Sequence, residues 1–140
     1  MDLRAGRPFL QKPPELREEP TERLISLARY MGWLHGKPKN WSESRLDRYR
    51  TSHKRLPPMP EVTAGQYLVE AFNELGRVSA GFSMIPLTWG EIDAYARLTG
   101  EISERFEARA LRRMSAAYIE GYRLSEDEFS IPPWQPVSEG

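Results

Sequence analysis

Residues 37–55, KPKNWSESRLDRYRTSHKR, hold seven Lys/Arg residues against Glu43 and Asp47. Trp41 and Tyr49 are interleaved with them, and Trp33 lies just upstream. Cations beside aromatic rings neutralise phosphates and stack on bases. They also suit contact with an acidic protein surface, or a plain solvated helix face. Lys37, Lys39, Arg45 and Arg48 are the partner-binding candidates of this stretch. No recognised nucleic-acid module surrounds them, which weighs against nucleic acid as the partner.

A second candidate is apolar. Phe82, Met84 and Ile85 sit in a loop, and Trp89 follows at the start of a helix pattern. An apolar loop of this kind suits contact with a partner protein, and methionine adapts to many similar sites. The alternative is a loop tucked back onto its own core.

Reaction chemistry finds no footing. Gly76 to Ser83 has the spacing of a phosphate-binding loop, but Phe82 stands where lysine is required and a helix pattern, not a strand, precedes it. Gly81-Phe82-Ser83-Met84-Ile85 begins like a nucleophile elbow and ends without its glycine. His35 and His53 lie in basic surroundings and read as solvated. Glu91 and Asp93 are two apart on a helix and do not face each other. Glu104 and Glu107 with Arg109, Arg112 and Arg113 read as a solvated helix face. Neither catalytic nor metal nor cofactor residues are expected, and the chain is not expected to be an enzyme. Lys54-Arg55-Leu56-Pro57-Pro58-Met59-Pro60 has the spacing of an SH3 ligand; its simpler reading is a stiff linker.

The totals frame these candidates. The chain has 140 residues, no cysteine and zero net charge, so disulfides and zinc-thiolate sites are excluded. Residues 1–60 carry 13 Lys/Arg and 7 Asp/Glu, and residues 61–140 the reverse. That dipolar layout suggests self-association, an acidic partner, or neutralisation of one half by the other. No apolar run approaches the ~20 residues of a membrane helix, and no leader pattern follows Met1. A cytoplasmic protein without membrane contact is expected.

Prolines cluster at 8–20, 57–60 and 132–136 and leave room for helices between. The expected fold is all-α: one small domain of four to five short helices with flexible proline-rich arms. Residues 1–20 form the N-terminal arm, 21–122 the domain, with a weak division near 56–62, and 123–140 the C-terminal tail. Phe129, Ile131 and Trp134 are too apolar for a purely solvated tail, and dock on the domain or on a partner. The first helix spans about Thr21 to Leu34, capped by Thr21, with Leu24, Leu27, Ala28, Met31 and Leu34 inward. The second spans Ser42 to Lys54. The third runs from Thr63, in a capping box with Gln66, to Leu75, burying Tyr67, Leu68, Ala71, Phe72 and Leu75 and stopping at Gly76. The fourth starts with a Thr88–Glu91 capping box, buries Ile92, Tyr95, Ala96 and Thr99, and stops at Gly100. Ser103 caps the fifth, which buries Phe106, Ala110, Met114, Ala117 and Tyr118. The last two helices should form a hairpin or corner. Phe72, Trp89, Tyr95, Phe106 and Met114 are the expected core cluster. No strand is expected.

Residues 86–100, PLTWGEIDAYARLTG, resemble a segment of the small tail assembly chaperones of long-tailed bacteriophages and prophages. The resemblance extends through Phe106-Glu107-Ala108 and Leu111 to Tyr118. Leu56 to Pro60 and the helix from Tyr67 to Leu75 occupy similar positions. It covers about residues 56–122. The family pattern tends to have tryptophan at Phe106 and a more glycine-rich loop at 79–84. The resemblance implies a non-enzymatic protein of the host cytoplasm that escorts the tape measure protein or recruits the major tail protein. The alternatives are a structural virion protein of the tail or neck and a small nucleic-acid-binding regulator using residues 37–55.

Overall fold

Among the described residues, five helices build the fold: α1 (Pro14–His35), α2 (Arg45–Ser52), α3 (Gln66–Glu74), α4 (Trp89–Thr99) and α5 (Arg105–Leu124). They are seen in a computed structural model that describes residues 14–136, with side chains from Thr21 onward. The all-α expectation is met. The only extended pairing among the described residues is one antiparallel bridge, Ser79 with Ile85.

α1 starts seven residues before the expected Thr21 cap. Pro14 is its first residue, where the missing N–H has no intrahelical partner to lose. The helix therefore takes in residues 14–20 of the expected arm; residues 1–13 lie outside the described residues.

α1 is the central element. Leu24, Ile25, Leu27 and Ala28 enter the main core, while Tyr30, Trp33 and Leu34 form a second cluster with Leu46, Tyr49 and Leu56. A helix apolar on so many sides must be covered on several faces. α5 covers one of them. The two helices run in the same direction: Glu22 pairs with Arg113, Arg29 with Glu120, and Gly36 abuts Ser125. Their backbones touch at two glycines. A Cβ on Gly32 would lie 1.9 Å from the Tyr118 carbonyl oxygen, and one on Gly121 1.9 Å from that of Arg29. Glycine inside a helix costs about 1 kcal/mol relative to alanine. Here that cost permits a contact no other residue allows. The expected α4–α5 hairpin is thus secondary to an α1–α5 pair between distant parts of the sequence.

The local signals fare unevenly. Thr88 accepts from the Glu91 amide while the Glu91 carboxylate accepts from the Thr88 amide, a complete capping box. Gly100 ends α4 at φ 67°, and Gly76 follows α3 at φ 88°. Thr63 and Gln66 form no box: α3 begins at Gln66 behind Gly65, which sits against Leu24. Ser103 is not the cap of α5. Glu104 is, and the Glu107 carboxylate accepts from the amides of Ser103 and Glu104.

The core differs from the expected cluster in two members. Phe72, Tyr95 and Met114 are buried, Phe106 is half-buried, and Trp89 is 51% exposed. Tyr67 is also exposed, although its hydroxyl donates to the buried Glu107 carboxylate at 2.7 Å. Leu87 and Leu111 supply the missing bulk and are fully buried. Each such side chain contributes roughly 1.5–3 kcal/mol.

Candidate functional site

Two surfaces hold the partner-binding candidates. The first is the loop between α3 and α4. Gly76 and Arg77 both have positive φ and turn the chain out of α3. Ser79 and Ile85 then exchange backbone hydrogen bonds of 2.8 and 3.2 Å, closing a short hairpin. Its base is fastened from below. The Ser115 hydroxyl, fully buried on α5, donates to the Arg77 carbonyl at 2.6 Å and accepts from the Leu87 amide at 2.9 Å. Arg112 donates to the Leu87 carbonyl, and its guanidinium lies 4.8 Å from the Trp89 ring centroid. The Ser79 hydroxyl donates to Glu91, whose carboxyl is held below its usual range by the Thr88 amide and by Ser79.

The tip is left outside this network. Phe82 is fully exposed, Ile85 and Trp89 are exposed, and Met84 is half-buried. The structure thus brings four expected residues to one hairpin and its foot. The loop is not tucked onto the core.

The second surface is the basic stretch, and here the structure corrects the expectation. Arg45 is 5% exposed and unavailable to a partner. Its Nε donates to Ser125 Oγ at 2.6 Å, and its terminal nitrogen to the carbonyls of Ser125 and Asp127 at 3.1 and 2.7 Å. The guanidinium also lies 4.4 Å from the Trp33 ring centroid. Burial lowers its pKa, opposed by Tyr49, Asp127 and Glu128. Ser125 Oγ donates to the Trp33 carbonyl, and Trp33 Nε1 donates to Ser130 Oγ. Residues 125–130 are therefore a strap clamped onto the loop between α1 and α2. The start of the expected C-terminal tail is packed on the domain.

Arg48 is exposed but engaged, paired with Glu43 at 2.8 Å and stacked 3.5 Å from the Trp41 ring centroid. Lys37 and Lys39 alone remain as expected, at the rim of an open depression of about 680 Å³ shared with Trp41 and Glu126. The proline linker is also part of the structure: Tyr30 donates its hydroxyl to the Pro57 carbonyl, and Pro60 is buried. Burial and Tyr49 push the Tyr30 pKa up to about 12.

His35 is not solvated. It ends α1 half-buried, with Nδ1 2.6 Å from the Tyr118 hydroxyl and the rings edge to face. Desolvation, then the charges of Arg77 and Arg50, lower its pKa. His53 is exposed in a left-handed cap.

Ser115, Ser125 and the exposure of Phe129 were missed. Ser115 left one usable trace, a polar residue on the apolar stripe of α5 between Leu111 and Tyr118. No group of three or more acidic or histidine side chains among the described residues could hold a metal ion. No described helix is long and apolar enough to cross a membrane. No family model, curated protein or solved structure matches the chain.

Proposed function

We propose that this protein is a tail assembly chaperone that works by protein–protein contact, with the 79–85 hairpin as its contact element. The observation that carries this reading is Phe82, held fully exposed at the tip of a loop whose base is hydrogen-bonded to α4 and α5. A large aromatic side chain on a fixed base enters an apolar groove or helix face at small entropic cost. Ile85 and Trp89 extend the contact. The resemblance of residues 56–122 supplies the partner: the tape measure protein, or the major tail protein, in the host cytoplasm. The function is escort and not catalysis.

Co-expression with the tape measure protein tests this. The expected result is a soluble complex that depends on this chain. Phe82→Ser should weaken it by about 2 kcal/mol or more, roughly thirtyfold, the cost of removing an interface anchor. A tape measure protein that stays insoluble with either form contradicts the proposal. Recovery of the chain from purified particles would instead favour the structural virion protein.

A further inference from the structure

The clamped strap displays side chains that the hairpin function does not use. Phe129 is 84% and Ile131 67% exposed, although the backbone between them is fixed: the Phe129 amide donates to Asp127 Oδ1, and Ser130 is held by Trp33 and Arg45. Ordered backbone with two large apolar side chains turned to solvent is the arrangement of a docking surface, not of a fraying end. The strap lies directly beside the 37–42 loop. The Lys39 amide donates to the Glu126 carbonyl, and Trp41 Nε1 donates to the Glu128 carboxylate.

This surface has both signs of charge. The side chains of Lys37 and Lys39 find no partner among the described residues, and neither does the Glu126 carboxylate across the same depression. A two-fold contact requires a patch complementary to itself, in which residue i meets j and j meets i. Two free lysines, a free carboxylate and an apolar pair on the adjoining strap meet that requirement. A uniformly acidic or basic partner would leave one sign facing its like.

We propose that this end of the molecule is an isologous dimer interface, the strap of one copy packing on the strap of a second with Lys37 and Lys39 facing Glu126 across the two-fold axis. Exposed ion pairs contribute about 0–1 kcal/mol each, so Phe129 and Ile131 supply the affinity and the charges set the register. The hairpin tip is not part of this surface and remains for the tail partner.

Sedimentation velocity of the full chain over a concentration series is the test. A monomer–dimer equilibrium is expected. The double variant Phe129→Ser, Ile131→Ser should shift its dissociation constant at least tenfold, with unchanged far-UV circular dichroism, while Phe82→Ser leaves it alone. K37E/K39E and E126K should each weaken self-association, and mixing them should restore a heterodimer, because both charge contacts become favourable again. A chain monomeric at every concentration overturns the proposal. So does a dimer indifferent to the strap variants, or a mixture that fails to pair.

Discussion

The hairpin at 79–85 and the clamp within the basic stretch 37–55 hold the apolar and the charged candidates. The fold treats them oppositely. At the hairpin, polar groups are spent on the base: Ser79, Glu91, Ser115 and Arg112 fix the loop, and Phe82 is left in solvent. At the clamp, two of the arginines are used within the fold. Arg45 is buried under Trp33 and Trp41 and holds the strap, and Arg48 is spent on Glu43 and Trp41. A run of cations therefore does not say which of them is free for a partner. A guanidinium with five donors is well suited to organising backbone carbonyls, and Arg45 does so.

This contrast is broken most severely at Arg45. Arg45→Ala leaves the Asp127 carbonyl without its guanidinium donor and frees the strap. A loss of roughly 3 kcal/mol is expected, from hydrogen bonds to a charged group worth about 1.5–3 kcal/mol each. Urea unfolding measures it, and hydrogen exchange should show amides 125–130 losing protection. Arg45→Lys should recover little, since an ammonium cannot span Ser125 and Asp127 from one position.

Gly121→Ala comes next. On helix propensity alone it should stabilise α5 by about 1 kcal/mol. The added Cβ meets the Arg29 backbone, so the expected outcome is destabilisation by about 1–3 kcal/mol. A rise in melting temperature would show that α1 and α5 are not in backbone contact there.

These two positions also show what could be read from the sequence. Thr88, Glu91 and Gly100 were legible because a cap is decided within a few residues. Arg45 was not, because its partners lie 80 and 82 positions away. The reason for Gly32 and Gly121 is a tertiary contact, which a glycine inside a helix pattern does not reveal. Even a local signal failed at Thr63, where Gly65 against Leu24 sets the start of α3. Within the site, the loop position of Phe82 was legible but its exposure was not, because a loop tucked back onto the core fitted the sequence as well. Nothing in residues 37–55 distinguished the buried arginine from the exposed lysines.

The smallest expected effect concerns pH. The folded-state pKa of His35 is depressed by burial and by Arg77 and Arg50. The unfolded chain therefore binds the proton first. Stability from this group is full above the unfolded value of ~6.5 and declines as pH falls below it. His35→Asn should flatten the stability profile just below that pH. The Glu91 carboxyl adds a second decline at lower pH, as its hydrogen bonds are lost on protonation.

The central claim is that partner contact lies at the hairpin and not on the basic stretch, where Arg45 is buried and Arg48 is already paired. Hydrogen exchange of the protein alone and in complex with the tape measure protein tests this most directly. New protection confined to residues 79–89, with 37–55 unchanged, is the predicted result. Protection of 37–55 with an unaltered hairpin would contradict it.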